Sequence, residues 1–286
     1  MVTMFSTTCR RALAAVTISV LALSGAACSS DDGGETAASV ESTSTTVAQQ
    51  ETLTILVSND DGVDSEGLDL LVEALATIPN VELTVVAPAT NQSGTSDRTT
   101  PGGVTSAAST TASGVEAVAV DGFPADAVRV ALDELDLDPD LVVSGINEGQ
   151  NVGPLAGLSG TVGVARTAVR DGIPAVAVSG GLAYDTDQFA VGANLVVMWI
   201  EENRQALVDR TMPVEVVSFN IPACDVGDMG EVVDVELATE IPEGANVFES
   251  ACDPSGPPPT DDVLAIMAGF PSRTVVPADI ESITPG

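Results

Sequence analysis

Two adjacent carboxylates, Asp60 and Asp61, stand in the run Asn59-Asp60-Asp61-Gly62. Neighbouring carboxylates repel unless a cation sits between or beside them, and Asp, Asn and Ser oxygens suit a hard cation such as Mg2+, Mn2+ or Ca2+. Two more segments carry the same donor types: Asn91-Gln92-Ser93-Gly94, and Ser144-Gly145-Ile146-Asn147 with a Gly-rich stretch running to Gly157. Any one of them alone reads as a turn or loop. Together they point to a site, because each follows an apolar, β-prone run, and ligands of parallel α/β sheets bind beyond the carboxyl ends of the strands. Helix starts near Ser65 and Ser159 offer free backbone N–H groups to an anion. A hard cation beside helix N-termini is a receptor for a phosphate ester. An EF-hand loop does not fit, since taking Gly62 or Gly67 as its glycine puts Val57 or Gly62 at the first ligand position.

The elements that must position these segments follow from periodicity. Strands are expected at Leu53–Val57, Val81–Ala87, Val115–Val120, Leu141–Val143, Ala175–Val178 and Val214–Phe219, and helices through Leu68–Leu75, Pro124–Leu135, Ser159–Arg170 and Phe189–Leu207. Their alternation predicts one α/β domain over 53–286, Rossmann-like, with a largely parallel sheet and helices on both faces. Near-continuous apolar strands fit burial on both sides. After Pro222 the pattern weakens, and prolines and acids predict loops and a hairpin-like excursion.

Composition excludes several chemistries. The 286 residues hold nine cations against 42 acids, a charge of −33, and there is no His. Every cation is an Arg, so the chain has no imidazole base, no Walker A lysine and no Schiff-base lysine. The acidity argues against a nucleic-acid duplex as partner, because neutralising phosphates needs cations. At 44% hydrophobic residues the chain is too apolar to be a disordered acidic protein.

Residues 1–27 read as an export signal: Arg10 and Arg11, an apolar stretch from Ala12 to about Leu23, then Ser24-Gly25-Ala26-Ala27 before Cys28. Small residues ending in Cys look like a lipoprotein cleavage site, with Cys28 as the lipidated residue and a membrane anchor; ordinary cleavage near Ala27 is the alternative. Both general and twin-arginine export stay open. Residues 28–52 are a Ser/Thr/acidic tether. Cys224 and Cys252 remain, and two leftover thiols in an exported protein are expected to pair.

The segments resemble the SurE family of divalent-metal-dependent phosphatases and nucleotidases. The matching text is Ile55–Val63 with Gly67, Val85-Val86-Ala87-Pro88 leading to Asn91–Gly94, and Val142–Asn147 continuing through Gly149, Asn151 and Gly153 to Ser159-Gly160-Thr161-Val162. Gly122–Asp126, Gly172–Ser179, Asn220-Ile221-Pro222 and Ser282–Pro285 follow in family order. The resemblance implies a metal (Mg2+ or Mn2+) on Asp60, Asp61, Ser93 and Asn147, with the two aspartates catalytic. It implies a phosphate pocket at Asn91, Asn151, Ser159, Gly160 and Thr161, and small phosphate esters, nucleoside monophosphates above all, as substrates. It also implies a homo-oligomer. Members commonly continue past the Ser-Ile-Thr-Pro segment into an element exchanged between subunits, so dimer and tetramer both stay open.

Three stretches depart from the family pattern. Asp64 replaces a usual His, Thr90 and Gln92 replace usual basic residues, and Thr95-Ser96-Asp97-Arg98 replaces a neutral run. They predict a site with less positive charge, leaning on the metal and on Arg98. They also leave open an alternative class, a lipoprotein that binds a metal or phosphate ligand without turnover.

Overall fold

The computed structural model describes residues 51–182, 186–248 and 250–279. The export segment, Cys28, most of the tether and Ser282–Pro285 lie outside the described residues.

Strand β1 (Leu53–Ser58) is apolar and buried on both faces, which places it at the middle of a nine-stranded sheet. It pairs in parallel with β2 (Val81–Pro88) on one side and β5 (Leu141–Glu148) on the other. Helix α1 (Glu66–Leu75) links β1 to β2, burying Leu68, Leu71, Val72 and Leu75 at helical spacing. From β2 the chain makes an antiparallel pair, β3 (Ser106–Thr110) with β4 (Glu116–Val120). It then returns through α2 (Pro124–Arg129), continued by a π-helical turn at Val130–Glu134, to β5 on the far side of β1. The connections reverse direction between β1 and β5, and this switch point is where open α/β sheets bind ligands.

Beyond β5 come α3 (Gly160–Arg170), β6 (Ala175–Gly180), α4 (Thr186–Val208) and β7 (Val216–Asn220), with β5, β6 and β7 parallel. Helices α1 and α4 cover one face through Leu68, Leu71, Val196, Trp199 and Ile200. Helices α2 and α3 cover the other through Ala127, Val128, Val162 and Ala165. The expected strands and helices are all present, and so is the two-faced layering. No described helix is long and apolar enough to cross a membrane.

Two expectations need correction, and one strand was not expected. Strand β5 does not stop at Val143 but runs to Glu148 through a bulge: its pairing with β6 jumps from Ser144↔Ala177 to Asn147↔Ser179. Strand β3, small and polar as Ser-Ala-Ala-Ser-Thr, carries no apolar alternation because it is mostly exposed at the sheet edge. The region after Pro222 is not a hairpin. Strands β8 (Cys224–Val226) and β10 (Ser250–Ala251) pair in parallel. Helix α5 (Asp262–Met267) then leads into β11 (Ser272–Val276), which joins the sheet antiparallel to β7 and parallel to β9 (Val233–Asp234).

Cys224 and Cys252 are bonded, with Cα atoms 5.3 Å apart, as their isolation in the sequence suggests. The bond closes a separation of 28 residues, so in the chain-entropy model it contributes about 3.6 kcal/mol. Reduction, or replacement of both residues by Ser, is expected to lower unfolding free energy in urea by that order. An unchanged midpoint would contradict it.

Candidate active site

The end of β1 turns sharply. Asn59 holds the turn, accepting from Gly62 N at 3.2 Å and donating to Gly62 O at 3.1 Å and to Ser65 Oγ at 2.7 Å. That lock presents Asp60 and Asp61 at the switch point. Gly67 lets α1 press against β5: a Cβ there would lie 2.0 Å from Ile146 O. The bulge in β5 re-aims side chains beside Asn147, as bulges near sites do.

Asp60 is buried at the N-terminus of α3. Thr161 Oγ1 donates to its Oδ1 at 2.5 Å, and the backbone N–H groups of Thr161 and Gly160 face the same carboxylate. Gly160 and Thr161, expected to touch phosphate, therefore serve Asp60; Thr161 is fully buried. Burial nevertheless pushes the Asp60 carboxyl up, these hydrogen bonds opposing. Asp61 is less enclosed. Burial pushes it up to about 6, with the charges of Asp60 and Glu148 adding and the Ser93 hydroxyl opposing.

The second loop closes on these acids. Asn91 Nδ2 donates to Asp61 Oδ1 at 3.1 Å, Asn91 Oδ1 accepts from Ser93 N at 3.0 Å, and Ser93 Oγ lies 3.4 Å from Asp61 Oδ1. Gln92 N donates to Asp60 O at 2.7 Å. The third segment supplies Asn147, whose Nδ2 donates to Gly149 O at 2.6 Å and so leaves its Oδ1 open. Asn151 is held by Asn220 Oδ1, which accepts from Asn151 N at 2.7 Å, and by Ser179 Oγ at 2.9 Å. Ser159 caps α3, its Oγ accepting from Val162 N at 3.1 Å, and its hydroxyl proton stays free to donate. Asp60, Ser93, Asn147, Asn151 and Ser159 line one cleft of about 170 Å³, together with Glu148 and Phe248.

Four oxygen donors, two of them carboxylates pushed upward in pKa by burial, Asp61 also by the charge of Asp60, fit a hard divalent cation. Among the described residues no group of three or more His, Cys, Asp or Glu side chains is placed to hold a metal; the candidate donor set is half Ser and Asn.

The chain matches the family model described as survival protein SurE over residues 55–241. It belongs to the SurE family. A relative from Parasynechococcus marenigrum (strain WH8102), named 5'-nucleotidase SurE, is 38% identical over 208 residues, covering 71% of this chain and 76% of that protein. A protein of the same name from Synechococcus sp. (strain JA-3-3Ab) is 32% identical, covering 80% of this chain and 93% of that one. The crystal structure of the SurE protein from Aquifex aeolicus superposes with a TM-score of 0.60 at 26% identity, covering 79% of this chain and 94% of that chain.

Two departures from the family pattern take a different meaning in the structure. Asp97 does not add charge to the cleft: it pairs with Arg170 at 2.5 Å and with the fully buried Arg166 at 3.5 Å. Arg98 does not reach the phosphate side; its guanidinium lies over the Phe123 ring, 4.8 Å from the centroid. Asp126, in the Gly-Phe-Pro-Ala-Asp segment, is structural, accepting from Thr100 N, Thr100 Oγ1 and Phe123 N. Asn59, Asn220, Glu148 and Phe248 take roles that the sequence patterns do not assign, Asn59 within the Asn-Asp-Asp-Gly run itself. Asn220 was in a matched segment without a role, and Phe248 sits in a stretch with no motif.

Another buried carboxylate supports the cleft from behind. Asp262 accepts from Gly153 N at 2.9 Å, Ala238 N at 2.8 Å and Val263 N at 3.0 Å, and burial pushes it up to about 6 against those bonds. A carboxyl whose pKa rises on folding costs stability when ionised: the cost is present above about 6 and relieved as pH falls toward the unfolded value near 4. With metal removed, Tm is expected to rise between about pH 8 and about pH 5. Asp61→Asn should flatten that rise by removing one titrating group. A Tm that falls steadily over the same range would contradict the assigned environments.

Proposed function

We propose that this chain is a phosphoric monoester hydrolase that releases phosphate from nucleoside monophosphates and similar small esters. On this reading Asp60, Asp61, Ser93 and Asn147 hold Mg2+ or Mn2+. The observation that carries the reading is the meeting of two elevated carboxylates, a Ser and an Asn at one sheet end, beside the capped start of α3. The names of the relatives, 5'-nucleotidase SurE, support it.

A bound divalent cation supplies Lewis-acid charge to a phosphate oxygen and acidifies a water. The rest falls to the chain. Ser159 Oγ, already accepting from Val162 N, donates its proton to an equatorial phosphate oxygen. Asn151, fixed by Asn220 and Ser179, holds the far side of the phosphate. Asn91 binds no phosphate directly in this scheme; it keeps Asp61 and Ser93 together. With neither His nor Lys in the chain, the proton of the attacking water passes to a carboxylate oxygen of Asp60 or Asp61.

We infer, too, that the enzyme works outside the cytoplasm, anchored at Cys28 or freely secreted, as a homo-oligomer. The Arg-plus-apolar leader supports export. A disulfide also persists best in an oxidising compartment.

Turnover of AMP and of p-nitrophenyl phosphate, with Mn2+ and with chelator, tests the reading; activity is expected only with the metal. Asp60→Asn and Asp61→Asn each keep shape and remove a ligand charge. Each is expected to lower kcat/KM by well over tenfold, more than about 1.4 kcal/mol in the barrier, while Tm holds or rises. Activity within tenfold of wild type would remove the assigned roles. Metal binding without turnover in the wild type would favour the non-catalytic alternative.

A further inference from the structure

The cleft that holds the phosphate-side residues is about 170 Å³, smaller than the roughly 300 Å³ at which pockets begin to enclose a drug-sized ligand. A nucleotide placed with its phosphate at Ser159 must therefore extend past the rim. That rim is partly apolar, with exposed Glu148 beside the apolar groups. Leu158, directly before Ser159, is 61% exposed, and Leu182, just beyond β6, is 45% exposed. Phe248 lines the cleft itself while resting partly on the cluster of Val152, Val247, Val263 and Ile266. Leu158 lines the same cleft as Phe248, and Leu182 and Phe248 converge: a methyl built on Gly149 would lie 3.5 Å from Leu182 Cδ2, 3.8 Å from Phe248 Cε1 and 3.9 Å from Asn147 Nδ2. The apolar rim thus begins one residue's width from a proposed metal ligand.

Phe248 lies outside residues 55–241, which the family model matches. Its segment is fastened by other means. Four residues on, Cys252 is bonded to Cys224, which follows Asn220-Ile221-Pro222 at the end of β7. Asn246 Oδ1 accepts from Phe248 N at 3.0 Å.

We propose that Phe248, with Leu158 and Leu182, forms the subsite for the nucleobase, and that the Cys224–Cys252 disulfide holds this platform in place. The inference rests on the phosphatase reading above and names what that site prefers in its leaving group. Continuity with the phosphate cleft, together with a planar ring on its wall, selects a flat heteroaromatic base over a sugar phosphate without one. Stacking on an aromatic ring tolerates different bases, so the platform favours nucleotides as a class.

The test compares AMP with ribose 5-phosphate, which carries an anomeric hydroxyl where AMP carries the base, at fixed Mn2+. Phe248→Ala is expected to lower kcat/KM for AMP about tenfold or more, mostly through KM. It should leave ribose 5-phosphate and inhibition by inorganic phosphate within about twofold. Phe248→Trp should restore AMP. The Cys224→Ser/Cys252→Ser pair should reproduce the Phe248→Ala selectivity loss in part. Equal losses on both esters, or none on AMP, would overturn the platform. If the wild type turns over neither ester, the phosphatase reading fails instead. The platform is then decided by calorimetry, where Phe248→Ala must weaken AMP binding and spare phosphate, or the platform fails too.

Discussion

Two carboxylates on consecutive residues, one of them 2% exposed, are an unfavourable thing to fold. Much of the architecture around the switch point reads as compensation for that pair. The N-terminus of α3 brings backbone N–H groups and the Thr161 hydroxyl to Asp60. Helix termini favour such negative charge. Asn91 and Ser93 bring donors to Asp61. These donors do not cancel the effect of burial, since both carboxyls stay above their ordinary values. Burial is the larger cause, and on the proposed reading a bound cation relieves it by supplying the missing countercharge.

The loop carrying Ser93 is held by a second electrostatic device some distance from the cleft. Ser96 N donates to Leu158 O at 3.0 Å and Ser96 Oγ to Gly157 O at 2.8 Å. Gly163 makes room for this approach; a Cβ there would stand 2.2 Å from Ser96 O. Asp97 then fastens the loop to α3 through Arg170 and Arg166. Burying Arg166 is costly unless it is paired, and Asp97 is its ion-pair partner, with Asp279 adding attraction. Both arginines also donate to Ala278 O, at 3.0 and 2.7 Å, so residues near 278 share the same anchor. An acid that looks harmful in the linear sequence is thus the counter-charge of two cations on a neighbouring helix.

What was legible in the sequence divides along physical lines. Strands β1, β2, β5 and β6 are apolar because helices cover both faces, and continuous burial leaves a mark on composition. Their ends were legible for the same reason: Asn59-Asp60-Asp61-Gly62 stands out only after Leu53–Val57 is recognised as a strand. Strand β3 was not, since an exposed edge strand needs no apolar face. Strand β11 was hidden because its neighbours in the sheet, β7 and β9, are distant in sequence or only two residues long. The direction of a side chain was equally hidden. Asp97, Arg98 and Thr161 all stand near the site in sequence, yet they turn to Arg170, Phe123 and Asp60.

On the proposed reading, the same division separates chemistry from selectivity. Asp60, Asp61, Asn147 and Ser159 stand on, directly after or at the N-cap of regular elements, which rigid sheet and helix contacts fix in place. Precise placement matters most there, because small displacements of reacting groups are costly. Phe248 stands in the irregular region between β9 and β10, and what holds it is a disulfide, a buried Asp262 bridging Gly153 and Ala238, and a small apolar cluster. An apolar platform tolerates small displacements that a ligand set does not, since dispersion and hydrophobic contact are not directional. A segment without regular structure is therefore an adequate support for base contact and a poor one for phosphate chemistry. The cross-link restores rigidity where the sheet no longer provides it.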